Sequence, residues 1–297
     1  MPLDLLVLGA GWTSSFLLPV CRTRRISFAA TTRSGIDNTI KFLFDQDSDD
    51  SEPFKVLPDA KTVLITFPIT ALGGSQRLVQ LYKNTRADKD LNPAFIQLGA
   101  TSIWGEQGSR QHKDPAPKVI TPAENKWYDR HSLYNPNERS NAEDELLALS
   151  PVTPTTVLDL AGLYGEDRTM RRWVGKVAPT KEVLRNKGSI HMIHGLDVAR
   201  AIVAVHNDFS RAVGQRWLLT DGRVYDWWDL ASAWGSGPLD GTDSEDRGPQ
   251  AVWVRELMRE TGVRALPRSS EILGRALDSR EFWETFNITP LKGRMED

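Results

Sequence analysis

Residues Leu3 to Ser14 read Leu-Asp-Leu-Leu-Val-Leu-Gly-Ala-Gly-Trp-Thr-Ser, an apolar run that enters a double-glycine turn and then a helix-compatible segment. A chain that opens this way is committed to a buried strand followed at once by a helix. Gly9 allows the tight turn, and Gly11 has no side chain to keep a pyrophosphate from the backbone. The N–H groups at the helix start, on Trp12, Thr13 and Ser14, combine with the helix dipole to attract an anion. Ser14 stands where the third small residue of the fingerprint is usually Gly. Trp12, just inside the turn, is placed to cover the pyrophosphate. The segment therefore predicts a dinucleotide site at the amino end.

The rest of the chain extends the same alternation. Hydrophobic runs predict strands at 26–32, 54–57, 62–67, 94–98, 155–160 and 217–220. Helices are expected at 37–44, 74–82, 138–149, from 195 to about 205, 225–234 and 251–261. Strands alternating with helices at this spacing imply an α/β fold, a doubly wound parallel sheet covered on both faces. Ligands on such sheets lie beyond the carboxyl ends of the strands. The loops after residues 8, 32, 66, 98 and 160 should thus share one site. That adds Thr32, Arg33, Ser34, Phe67, Pro68, Gly99, Ala100, Leu163 and Tyr164 to the cofactor residues, and Thr101 and Ser102 to the candidates near the reacting atoms. Past residue 165 the pattern loosens. Residues 1–165 are read as the cofactor-binding domain, and 166–297 as a smaller substrate lobe interleaved with it. Residues 106–136 and 240–248 are polar and are expected to be surface excursions.

Composition removes several function classes. The 297 residues are 40% hydrophobic, enough for a sizeable core. Lys plus Arg number 37 against 39 Asp plus Glu, a net charge of −2 that gives no basic surplus for nucleic acid. The acidic run at 45–52 reads as a solvated loop. One cysteine, Cys21, excludes intrachain disulfides and a multi-cysteine metal site. No apolar stretch reaches the roughly 18 residues that a membrane span needs. A cytoplasmic location is the expectation.

Arg33 lies at the end of the second strand, 22 residues past Gly11. An acidic residue there binds ribose hydroxyls, whereas an arginine accommodates a 2′-phosphate with its planar fork of donors. Thr32 and Ser34 add hydroxyls. The expected cofactor is NADP.

Four segments in order resemble the extended short-chain dehydrogenase/reductases, in their NAD(P)-dependent epimerase/dehydratase branch, a Rossmann-fold family. They are Gly9-Ala10-Gly11 with Thr32-Arg33-Ser34; Leu98-Gly99-Ala100-Thr101-Ser102-Ile103-Trp104-Gly105, similar to the family's Ser-Ser-x-x-Val-Tyr-Gly; Leu160-Ala161-Gly162-Leu163-Tyr164-Gly165, similar to Arg-x-x-x-x-Tyr-Gly; and Ile193-His194-Gly195-Leu196-Asp197-Val198-Ala199, similar to Ile-His-Val-Asp-Asp-Val-Ala. Residues 277–290 resemble the tail of atypical members. The resemblance implies catalysis by a Tyr, a Lys four residues later that holds the ribose and lowers the Tyr pKa, and a supporting Ser or Thr. Here Arg139-Ser140-Asn141-Ala142-Glu143 aligns with the family's Lys-x-x-Ala-Glu. That puts Arg139 at the Lys position and Asn135 at the Tyr position, with Tyr134 one residue away. The hydroxyl position falls on Ala100, beside Thr101 and Ser102. Tyr134, Arg139, Thr101 and Ser102 are the catalytic candidates. Asn cannot titrate, and Arg stays protonated in a different shape from Lys.

Other residues read as structural. His191 and His194 lack the further ligands a zinc site needs, so no metal is expected. His194 is assigned to backbone hydrogen bonding at the lobe junction, and Asp197 to capping the helix that follows. His112 and His131, in the excursion, become general acids only if that loop folds over the site. Trp217, Trp227, Trp228 and Trp234 form core packing or line an apolar pocket. Two functions stay open: an NADP-dependent oxidoreductase or epimerase-like enzyme acting on a small hydroxy or carbonyl substrate, or an NADP-binding redox sensor or interaction partner without Tyr–Lys catalysis. The resemblance implies a homodimer paired through the helices at 74–82 and 138–149, and the shortness of both leaves a monomer open.

Overall fold

Four successive side chains of the first strand, Leu5 to Leu8, are wholly buried, and they alternate between two separate cores. Burial on both faces is the condition of a central parallel strand. In the computed structural model, which describes residues 1–86, 91–105, 126–235 and 248–295, this strand is β1 (Leu3–Leu8). It is followed by β2 (Phe28–Thr32), β3 (Ile40–Lys41), β4 (Ala60–Ile65), β5 (Ala94–Ala100), β6 (Thr155–Leu160) and β7 (Gln215–Leu219). They form one seven-stranded parallel sheet in the order β3-β2-β1-β4-β5-β6-β7.

Helices cover both faces. On one side lie α1 (Trp12–Thr23) and, from the carboxyl half of the chain, a helix at Gly195–Asn207. Leu5 and Val7 meet Leu17, Cys21, Val198 and Ile202 there. On the other side are α2 (Gly74–Asn84) and α3 (Glu138–Leu147), whose Leu78, Tyr82, Ala142 and Leu146 share one core with Leu6 and Leu8. The Gly195–Asn207 helix is α4; α5 (Trp227–Trp234) and α6 (Pro249–Thr261) pack on each other beyond the sheet. The chain past residue 165 thus supplies one helix and the edge strand of the main sheet as well as this smaller cluster. Two-stranded ribbons join 162–164 to 192–194, 189–190 to 225–226, and 126–128 to 275–277.

Several expectations need correction. Residues 37–44 form no helix: Asp37 and Asn38 take positive φ, and Ile40–Lys41 is an edge strand. Phe42 and Phe44 are buried while Lys41 and Leu43 are exposed, a period of two that overrides helix propensity. Residues 54–57 are no strand but the end of a 3-10 turn, Glu52–Val56, entered through Pro53. Phe54 and Leu57, three apart, both bury, which suits that turn. The excursion at 106–136 is not wholly irregular, since 126–128 pairs with 275–277. His112 lies outside the described residues, as do 240–247 of the expected linker. Tyr225 and Asp226 form a short strand, so α5 starts at Trp227 with Asp226 as its cap.

Trp217, Trp227, Trp228 and Trp234 are core. Trp217, on the edge strand β7, packs edge-on against Phe282 and Phe286. Trp227, Trp228 and Trp234 are buried with Val254 and Leu257, and the Trp228 indole donates to the Leu184 carbonyl. Among the described residues no cluster of His, Cys, Asp and Glu suits a metal, and no helix is long and apolar enough to cross a membrane.

Candidate functional site

The turn after β1 is clamped from both neighbouring strands. The Gly9 N–H donates to Thr31 Oγ1 at 3.0 Å and the Ala10 N–H to the Thr31 carbonyl at 2.6 Å. From β4's end, Thr66 Oγ1 donates to the carbonyls of Gly9 (2.5 Å) and Leu8 (3.1 Å). Gly9 sits at φ +93°, and a Cβ there would lie 2.7 Å from Thr66 Oγ1, so only glycine fits. Gly11 differs: a Cβ built on it meets nothing within 4 Å. Its face is open to a ligand. Gly11 precedes helix α1 and offers no side-chain cap; the Ser14 N–H turns back to the Gly11 carbonyl at 2.9 Å, which leaves the Trp12 and Thr13 amides to meet an anion.

Beside this turn, at the carboxyl ends of β1, β2 and β4, lies a cleft of about 520 Å³. Its walls include Gly9, Gly11, Thr32, Arg33, Phe67 and Pro68, brought together as the sequence predicts. Trp12, Thr13 and Ser14 form the adjacent first turn of α1; Thr13 and Ser14 are buried. Arg33 and Ser34 are exposed, and Arg33 makes no ion pair among the described residues. The Thr32 hydroxyl is committed to the local turn, accepting from the Gly35 N–H at 2.9 Å and bonding Thr39 Oγ1 at 2.7 Å. Sequence reasoning missed Phe42, Leu43, Phe44 and Gln46, which also line the cleft. The period of two from Ile40 to Phe44 was the available signal. Gln46 Oε1 accepts from the amides of Thr70 and Ala71 and so fixes the loop after Pro68.

The other half of the expected site is organised differently. Gly99 lies against Asp159: a Cβ there would collide with its carboxylate. Ala100 ends β5, Thr101 is buried in the following turn, and Ser102 is exposed. Leu163 packs at the edge of the main core, and the buried Tyr164 donates its hydroxyl to the Lys292 carbonyl at 2.8 Å. Tyr164 serves the packing of the carboxyl-terminal segment.

Tyr134 and Arg139 are drawn into a charge cluster. The Tyr134 hydroxyl donates to the Asp144 carboxylate at 2.7 Å. Burial, reinforced by that bond, pushes its pKa up to about 12, opposite to what a proton-exchanging phenol requires. Arg139 donates to Glu143 Oε1 at 3.0 Å and to the Leu98 carbonyl at 2.5 Å. Asn135, at the expected Tyr position, holds the turn after β5: its N–H donates to the Ile103 carbonyl, and its Nδ2 to Gly105. Beneath them Arg216 of β7 reaches Glu143 (2.7 Å), Asp159 (2.8 Å) and Asp144 (3.0 Å). Asp159 is fully buried with Oδ1 unpartnered. Burial outweighs Arg216 and drives its pKa up to about 7.

No family model and no curated protein matches the chain by sequence. Solved structures do match in shape. A Methylobacillus flagellatus protein assigned to the NAD-dependent epimerase/dehydratases superposes with a TM-score of 0.61 at 13% identity, over 99% of this chain and 95% of its own. UDP-N-acetylglucosamine 4-epimerase from Bacillus cereus gives 0.59 at 11% identity, over 97% and 94%. Yeast methylglyoxal/isovaleraldehyde reductase, solved with NADPH, gives 0.54 at 13%, over 96% and 93%. The chain shares the Rossmann-like α/β fold of these proteins. In that fold the cleft described here lies at the carboxyl ends of the strands, beside the point where strand order reverses between β1 and β4.

The histidines fall as structural groups. His194 Nδ1 accepts from the Leu196 N–H and is itself the cap of α4. Asp197 does not cap α4. It is wholly buried and accepts from the amides of Leu291 (2.8 Å) and Lys292 (2.9 Å). His191 is buried, accepts from the Leu277 N–H, and has its pKa pushed down to about 3 by burial and then by Arg275. His131 is exposed and pairs with Glu281 at 2.8 Å.

Proposed function

We propose that the chain binds NADP(H) as a member of the NAD(P)-dependent epimerase/dehydratase/reductase superfamily, and that it does so without Tyr–Lys proton exchange, as a cofactor-binding sensor or interaction partner. The observation that carries the cofactor assignment is the cleft at Gly9–Gly11 with Arg33 unpaired at its rim. The open face of Gly11 fits a pyrophosphate, and Arg33 is a free planar cation for a 2′-phosphate. Bound NADP(H) would supply hydride. Tyr134 is held by Asp144, and Arg139 by Glu143 and Leu98, which supports the absence of the usual proton route.

A second reading is an oxidoreductase or epimerase-like enzyme acting on a small hydroxy or carbonyl substrate through another acid. Two observations favour it. The fold neighbours include a 4-epimerase and a reductase over nearly the whole chain, and Thr101 and Ser102 keep hydroxyls at the end of β5. Fluorescence titration with NADPH and NADH tests the cofactor assignment; equal affinities would remove Arg33 from it. Incubating the NADPH complex with a panel of aldehydes and ketones separates the two readings. No oxidation is expected under the first. Turnover that persists in Tyr134→Phe would establish the second.

A further inference from the structure

A second cation, the exposed Arg168, stands over the start of α1. The chain leaving the 162–164 strand makes a tight turn in which Gly165 and Arg168 exchange backbone hydrogen bonds at 3.1 and 3.0 Å. The turn is pinned to α1, since Ser15 Oγ donates to Glu166 Oε2 at 2.9 Å. A Cβ on Gly165 would run into His194 and Phe16, so the turn lies hard against the helix. Its last residue reaches the start of that helix: Arg168 Cζ is 4.4 Å from the centroid of the Trp12 ring. Trp12 is the first residue of α1, and its ring is held edge-on by Phe16, 4.8 Å between centroids.

We infer that Arg168 is a ligand for the pyrophosphate of the dinucleotide, resting on the cofactor reading above. Three observations support this. Its side chain makes no hydrogen bond or ion pair among the described residues, although Glu166 and Asp167 precede it. A cation–π contact with an indole holds a guanidinium without using its N–H donors, which stay able to make bidentate phosphate contacts. Its perch is the ring of the first residue of α1, so the cation stands at the same end of that helix as the glycine turn and the positive end of the helix dipole. Arg33 and Arg168 then divide the work. One discriminates the 2′-phosphate, and the other contributes to both coenzymes alike.

That division gives the test. NADPH, NADH and adenosine 2′-monophosphate, which lacks the pyrophosphate, are titrated against the full-length wild type, Arg168→Ala and Arg168→Lys. Arg168→Ala is expected to weaken NADPH and NADH equally, by about tenfold, and to leave their ratio and the adenosine 2′-monophosphate affinity unchanged. Arg168→Lys should recover part of the loss. Unchanged binding of both coenzymes by Arg168→Ala overturns the inference. So does a parallel loss of all three ligands, which would mark a structural role. If the wild type itself binds neither coenzyme, the cofactor reading has failed, and this inference goes with it.

Discussion

One arginine, one glycine and one tyrosine decide how this site behaves. Arg33 lies at the cleft with no carboxylate paired to it among the described residues. Arg33→Asp is therefore expected to lower the NADPH-to-NADH affinity ratio at least tenfold, because the new carboxylate repels a 2′-phosphate and accepts from ribose hydroxyls. Parallel titrations read this directly. Gly9 is the residue whose replacement the turn tolerates least. Gly9→Ala must place a side chain at positive φ and against Thr66, and a cost of about 2 kcal/mol is expected in urea unfolding. Tyr134 carries a hydroxyl whose partner is a carboxylate rather than a lysine. Its identity was legible in the sequence, but its partner was not: Asp144 is nearly two helical turns into α3, and the pairing depends on how the 126–135 segment docks.

At the scale of elements, the join between α3, β6 and β7 is electrostatic. Arg216 of β7 bridges Glu143 and Asp144 of α3 and Asp159 of β6. Removing it leaves two fully buried carboxylates without their shared cation. Arg216→Ala should lose about 3–5 kcal/mol, read as a lowered denaturation midpoint. The same cluster shapes the response to pH. Asp159 has its folded pKa raised by burial to about 7. The folded chain then keeps a proton that the unfolded chain releases near pH 4, so this group makes stability fall as pH rises through that interval. His191 runs the other way. Its folded pKa is depressed to about 3, so its contribution is complete above about pH 6.5 and is lost as pH falls toward 3. Between about pH 4 and 6.5 the two slopes oppose each other. Asp159→Asn removes one of them, and its melting temperature should climb more steeply from pH 4.5 to 7 than the wild type's. Parallel slopes in calorimetry would show that Asp159 holds no such proton. Sequence spacing could not reveal this cluster, because Arg216 and Glu143 are 73 positions apart and meet only across the sheet.

For the whole molecule, the last described residues act as a strap. Leu291 and Lys292 donate their amides to the buried Asp197, the Lys292 carbonyl receives the Tyr164 hydroxyl, and Met295 is buried with its N–H on Tyr225. Arg223 holds the Gly293 carbonyl. The strap thus ties α4 and the 162–164 strand to the α5–α6 cluster. Truncation after Ile288 should lower the melting temperature by several degrees and weaken coenzyme binding as the turn bearing Arg168 loosens; an unchanged melting temperature would show that the strap contributes nothing to the fold. The sequence by itself determined the parallel sheet and the glycine turn, because fully apolar runs, glycine spacing and helix periodicity are local constraints that few other folds satisfy. It also placed Arg33 at the end of β2. Only the tertiary structure decided that 37–44 is an edge rather than a helix, that Tyr134 and Arg139 serve a buried ion cluster, and that Arg168 stands over Trp12. Those outcomes depend on which distant side chains share a low-dielectric space, and the energy of a charge or a ring is set by such neighbours rather than by its place along the chain.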